Sequence, residues 1–255
     1  MKDLQILSPG KRLKKVRKML KVKQDELAGD MFCKNYISMF ENDRRKINAI
    51  NATYLANKVN EIAKEKRIDL QVSASYFLKS SKDIAQDKCE KWIEQVSNNY
   101  KLSNYKINLN LYKTMYLAEK FGLEEYIGDA LYLKGINSIN AQRYTCAIPQ
   151  FLEAIVYFSK YNKNKKITDT YKNIAIAFYE QKQIHQALSV LNLAEGTAQK
   201  IEEDCYDILK DIRYYKGLCY FALGNLEKSK AIIDDVEDKD EQVLDLENKI
   251  TDRIV

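Results

Sequence analysis

The 255-residue chain carries a single histidine, and its sequence neighbours give it nothing to work with. His185 lies in "QKQIHQAL", read as a turn between helices, where a general base would need a carboxylate or nucleophile within reach. The five cysteines, Cys33, Cys89, Cys146, Cys205 and Cys219, form no CxxC pair, and their odd number argues against a disulfide framework. They read as reduced, mostly buried thiols. Asp129, Asp169 and Asp211 recur at regular spacing and suggest an acidic site at first sight. Each is better read as an acid opening a helix, where it complements the helix dipole. No Gly-rich phosphate loop and no metal-spaced His/Cys cluster occurs. Neither catalytic residues, nor a metal, nor a cofactor is expected, and the chain does not read as an enzyme.

The elements around these residues are helical. Only 2 Pro and 8 Gly interrupt the chain, and 45% apolar with 31% charged residues suits a mostly helical protein. Charge is uneven: residues 1–72 hold 17 Lys/Arg against 9 Asp/Glu, a net of +8, although the whole chain is only +6. A basic first part on a near-neutral remainder points to a polyanion partner for the first part. No signal-peptide core and no apolar run of membrane-spanning length appears, so a cytoplasmic protein without a membrane partner is expected.

Within residues 1–67, Leu13, Val16, Arg17 and Leu20 stripe a first helix, with Pro9 in its first turn. A short second helix runs from Gln24 to Asp30 and a third from Lys34 to Glu41; a fourth spans Ile50 to Lys66. Two short helices joined by a tight turn make a helix-turn-helix. The stretch "QDELAGDMFCKNYISMFENDRR" resembles the DNA-binding domain of the Xre/lambda-repressor-like family in its Gln-x-x-Leu-Ala opening, its Tyr-Ile-Ser core and its closing Glu-Asn. Two features depart from that pattern. The segment from Ala28 to Tyr36 is one residue short, and Cys33 stands where Ser or Thr usually caps the third helix.

The resemblance implies a recognition helix lying in the major groove of double-stranded DNA. On that footing Lys34 would donate to guanine, Asn35 would pair with adenine and Met39 would touch a thymine methyl. Gln24 would bring a helix N-terminus to a phosphate. Tyr36, Arg44, Arg45 and Lys46 would hold the DNA backbone.

Residues 83–255 read as about four tetratricopeptide-like helix pairs and a C-terminal helix (Leu244, Leu246, Ile250) covering the end of the stack. From Asp129, Asp169 and Asp211, small residues follow at one offset (Gly135, Ala175, Gly217) and again at another (Ala147, Ala187, Ser229). Large ones follow at Phe151, Leu191 and Ile233, and three positions later come Ala154, Ala194 and Val236. Small residues facing large ones at a fixed period let helix pairs stack into a right-handed α-solenoid. A fainter copy runs through Trp92, Val96, Asn108, Tyr112 and Met115. The extra length over a usual repeat was expected in extended helices or in loops such as "KYNKNKK", and Pro149 was expected to delay or bend its helix. The segment 68–82 joins the halves, either as a flexible linker or as a helix exchanged between protomers.

An all-α chain with an Xre-type helix-turn-helix before such repeats resembles the Rgg/PlcR-like (RRNPP) regulators of Gram-positive bacteria and their phages. The resemblance implies a cytoplasmic homodimer on a near-palindromic operator, with a short signalling peptide bound by the repeats. Asn carries both a donor and an acceptor and can hold an extended peptide backbone. Asn98, Asn137, Asn140, Asn173 and Tyr215 are the candidates on the first helices of the pairs. The alternative is a repressor or adaptor whose repeats bind a protein partner.

Overall fold

The computed structural model describes residues 4–98, 102–201 and 205–254. Among them the regular structure is helical throughout. The chain divides between Glu90 and Lys91 into two compact units.

The first unit contains α1 (Pro9–Met19), α2 (Gln24–Ala28), α3 (Lys34–Glu41), α4 (Ala49–Glu65) and α5 (Ala74–Leu78), and the first part of α6 (Ser81–Asn98). Its core is one cluster: Leu13, Val16 and Leu20 of α1, Leu27 and Ala28, Ile37 and Phe40, the α4 stripe Leu55, Ala56 and Val59, and Phe77 of α5. Each large side chain removed from water here contributes about 1.5–3 kcal/mol. Ser8 caps α1 ahead of Pro9, and Asn48 caps α4. Cys33 sits at the cap of α3 and makes no side-chain cap bond.

The segment 68–82 packs on the first unit. Asn60 holds Val72 by two 2.8 Å bonds, donating to its carbonyl and accepting from its amide. Phe77 is fully buried among the core residues of the first unit. The buried Arg12 guanidinium donates to the carbonyls of Leu7, Tyr76 and Lys79. The first unit therefore reaches past residue 67.

The second unit continues α6 and contains α7 (Asn104–Phe121), α8 (Glu124–Asn140), α9 (Tyr144–Lys160), α10 (Asn164–Glu180), α11 (Ile184–Ala198), α12 (Tyr206–Ala222), α13 (Leu226–Asp234) and α14 (Glu241–Ile254). Helices α8/α9, α10/α11 and α12/α13 pack as hairpins, and α8, α10 and α12 also touch in succession. The small-against-large register governs this packing. A Cβ on Gly135 would lie 2.4 Å from the Phe151 ring, and one on Gly217 would lie 2.7 Å from Ile233. Phe151, Leu191 and Ile233 are buried at equivalent places, as are Ala147, Ala187 and Ser229. The Ser229 hydroxyl donates to the Gly217 carbonyl at 2.8 Å, fixing the last pair. Val243, Leu246 and Ile250 of α14 pack on this pair, whereas Leu244 points outward.

The long period resides in the helices. Helices α8, α9 and α10 each have 17 residues, and "KYNKNKK" contributes only the three-residue connection 161–163. Helix α9 runs through Pro149 and begins before it, at Tyr144. Several ends share one device. Gln142, Asn162 and Lys182 take left-handed φ values of 55°, 52° and 62° just beyond α8, α9 and α10. The next amide turns back to the carbonyls of Ser138, Phe158 and Phe178, which closes a Schellman motif.

Candidate functional site

Three contacts set the orientation of α3. At its C-terminal end, the buried Glu41 carboxylate accepts from Arg17 Nε at 2.5 Å and Nη2 at 2.9 Å, and from Gln24 Nε2 at 2.8 Å. The hydrogen bond to Glu41 raises the Arg17 pKa, and Arg17 also donates to the Val22 carbonyl. One carboxylate thus ties α3 to α1 and to the start of α2. Second, Asp43 accepts from the Gly10 amide at 2.9 Å and from the Ser8 hydroxyl at 2.5 Å, closing the start of α1 against the end of α3. Third, the Tyr54 hydroxyl of α4 donates to the Ala28 carbonyl at 3.0 Å and accepts from the Met31 amide at 3.4 Å. Gly29 lies beside it at a φ of +54°, and a Cβ there would stand 2.3 Å from the hydroxyl.

The opposite side of α3 stays in water. Lys34 and Asn35 are its first two residues and are exposed, and Met39 follows one turn later at 37% exposure. Tyr36 is half-buried against Phe32, with ring centroids 6.1 Å apart, and the Arg45 guanidinium covers its ring at 4.3 Å. Arg44, Arg45 and Lys46 are exposed directly beyond α3. The amides of Arg44 and Arg45 fold back onto the Met39 carbonyl at 2.9 and 3.3 Å. These seven residues lie on α3 or within five residues of its end. Gln24 is different: it heads α2, but its side-chain amide is half-buried and engaged by Glu41.

Residues 10–70 match a family model described as a helix-turn-helix domain. The first unit is a helix-turn-helix domain. In it α2 and α3 are the two helices of the motif, and Gly29 to Cys33 form its turn. No curated protein matches the chain. A crystal structure of Bacillus thuringiensis PlcR in complex with the peptide PapR7 and DNA is a distant structural neighbour. It is 10% identical, covers 96% of this chain and 81% of its own, and gives a TM-score of 0.42. Beyond the helix-turn-helix domain, the second unit carries its own polar centre.

That centre lies along α8, α10 and α12. The Tyr132 hydroxyl donates to the Asp169 carboxylate, and Asn173 Nδ2 donates to Tyr132 at 3.3 Å and to the Asp169 carbonyl at 2.8 Å. Lys172 bridges Asp169 at 2.8 Å and Asp211 at 3.0 Å. Burial alone would lower the Lys172 pKa, but the two aspartates outweigh it and raise it. Burial, reinforced by Asp169, likewise pushes the Tyr132 phenol up. Asp129 pairs with Lys166 across α8 and α10. Asp129, Asp169 and Asp211 therefore do not open their helices. Each is the sixth residue of its helix and pairs with a lysine of α10.

Of the expected peptide contacts, Asn173 belongs to this network. Tyr215 packs edge-on between Tyr179 and Tyr214, and burial pushes its phenol up to about 12. Asn137 is nearly buried on α8, while Asn98 and Asn140 are exposed at the last residues of α6 and α8. Of the five, Asn173 is the one whose hydrogen bonds join the Tyr132–Asp169 network. Sequence reasoning missed Tyr132, Lys166 and Lys172. The signal available was a spacing close to the repeat period: Lys166 lies 37 residues beyond Asp129, and Asp211 lies 39 residues beyond Lys172.

Two further expectations change. His185 is the second residue of α11 rather than part of a turn, and it is exposed. Only Cys89 and Cys219 are buried; Cys33 and Cys146 are exposed and Cys205 is intermediate. Among the described residues no helix is long and apolar enough to cross a membrane, and no His/Cys/Asp/Glu group is placed to hold a metal.

Proposed function

We propose that the chain is a DNA-binding transcription regulator of the Rgg/PlcR-like (RRNPP) kind, acting in the cytoplasm as a homodimer. The observation that carries the reading is the exposed face of α3: Lys34, Asn35 and Met39 project from a helix clamped at its far end, with Arg44, Arg45 and Lys46 beside it. Amide, ammonium and methyl-contacting groups are the types that distinguish base edges, and flanking cations neutralise phosphates. Gln24 supplies the α2 amide end to a phosphate, while its side chain braces Glu41. Two copies place two recognition helices on the half-sites of a near-palindrome.

The repeats supply regulation. A short peptide lies along α6, α8, α10 and α12, where Asn98, Asn137, Asn140, Asn173 and Tyr215 offer donors, acceptors and an aromatic face. It changes the placement of the DNA-binding domains only by its difference in affinity for their two arrangements.

Fluorescence anisotropy tests the reading, with the purified chain titrated into the DNA upstream of its own coding sequence and into a random duplex of equal length, over a salt series. Tight binding to the first that persists in salt, with weak binding to the second, is expected of a sequence-specific regulator. Equal binding to both that salt erases would leave only a basic surface.

A further inference from the structure

We propose that a cavity between α6, α8 and α10, walled by Ile93, Tyr132 and Leu133, is the subsite for one basic side chain of the bound peptide. The proposal rests on the peptide reading above and names the chemistry that the peptide must carry. The cavity measures about 280 Å³ and draws its lining from α6, α8 and α10. Whole-ligand pockets run from about 300 to 1,000 Å³, so this one takes a single long side chain.

The lining has two parts. Ile93 and Leu133, with the Tyr132 ring, give apolar walls that suit the aliphatic stem of arginine or lysine. Asp129 and Asp169 bring two carboxylates to the same cavity. Each already carries a cation: Lys172 holds Asp169 at 2.8 Å, and the Lys166 ammonium lies against Asp129. The two partners differ in their access to water, because the Lys166 side chain is 48% exposed and Asp129 only 20%. The lysine can swing into solvent, while the carboxylate stays in the cavity. Asp169 accepts from Tyr132 and Lys172, and a carboxylate has roughly four acceptor positions, so capacity is left for a third donor. A guanidinium entering along the apolar walls displaces Lys166 and spans both carboxylates with its fork of donors. An anionic side chain would meet the two carboxylates, and of their two lysines only Lys166 is exposed enough to turn towards it.

The exchange also has a conformational consequence. Lys166 and Asp129 tie α10 to α8, and an incoming cation replaces that tie with one made through the ligand. The ligand thereby gains contacts that depend on the spacing of the two helices, which is the differential contact that a shift of state requires.

The test uses the full chain and three hexapeptide mixtures, each randomised except for one fixed residue: arginine, its neutral isostere citrulline, or glutamate. Binding is measured by thermophoresis. The arginine mixture is expected to bind about tenfold more tightly than the citrulline mixture, the size of one charge-assisted contact. Asp129→Asn and Asp169→Asn should erase that preference. Lys166→Ala should strengthen arginine-mixture binding several-fold by removing the resident competitor, a gain that misfolding cannot imitate. Equal binding of all three mixtures, or preference for glutamate, would overturn the subsite and leave the peptide reading standing. Binding by none of them would overturn both.

Discussion

The Arg17 guanidinium grips both oxygens of the Glu41 carboxylate, at 2.5 and 2.9 Å, and so fixes the end of α3 to α1. Glu41 is 2% exposed, which makes the pair a buried one. Removing one partner of a buried pair leaves a charge without compensation. Glu41→Ala should destabilise the first unit by about 3 kcal/mol, at the low end for such breaks because Arg17 keeps some contact with water. Urea unfolding followed by circular dichroism measures it. The double variant Arg17→Met with Glu41→Leu should recover most of the loss.

Gly10 is set by close approach rather than by conformation. A Cβ there would lie 1.9 Å from the Phe40 carbonyl oxygen and 2.7 Å from Asp43 Oδ1. Gly10→Ala should therefore push α1 off the end of α3 at a cost of about 2–3 kcal/mol. Gly196 is the matched control, since a Cβ there meets nothing within 4 Å inside α11. Gly196→Ala should gain about 0.5–1 kcal/mol, and thermal melts of both variants measure the contrast.

The repeat ends allow a stabilising change. Lys182 holds a φ of 62° at the place where Gly224 closes α12 with a φ of 74°. The left-handed region costs a side chain about 1–2 kcal/mol, part of which glycine gives back as chain entropy. Lys182→Gly should raise stability by about 1 kcal/mol, and Asn162→Gly should raise it less because asparagine tolerates that region. Scanning calorimetry of the two variants would show the order.

The cysteines divide by access. Burial pushes the Cys89 thiol up to about 11 and the Cys219 thiol up to about 12, from 9.0. At neutral pH a thiol reagent should label Cys33 and Cys146 fast and reach Cys89 and Cys219 only on unfolding. The sign for stability follows. Both folded pKa values are raised, so the contribution is fully present below pH 9 and fades as the pH climbs towards 11 and 12. A stability profile that rose across that window would contradict the burial.

Local features of this fold were readable from sequence, and those made by distant residues were not. Helix α3 runs from Lys34 to Glu41 as its apolar pattern predicts, because Ile37 and Phe40 give its inner face. The repeat register was readable for a similar reason: Gly135 and Phe151 must meet wherever two such helices pack. The helix starts were harder. Helices α8, α10 and α12 begin without a side-chain cap bond, so Asp129, Asp169 and Asp211 looked like starts although the helices begin five residues earlier. The bond from Gln24 to Glu41 spans 17 residues, and those from Arg12 to Tyr76 and Lys79 span 64 and 67. No local spacing announces such contacts. They decide that Gln24 braces the motif and that the segment after α4 belongs to the first unit.

The central claim is that the exposed face of α3 reads DNA. The most direct measurement is an anisotropy salt series on the upstream duplex, comparing the wild-type chain with Asn35→Ala and Arg45→Ala. The account predicts that Asn35→Ala loses about 1–3 kcal/mol of preference for the upstream duplex over a random one, with its salt slope unchanged. Arg45→Ala should weaken binding to both duplexes and lower the slope by about 1. If Asn35→Ala binds both duplexes as the wild type does, α3 does not read the sequence.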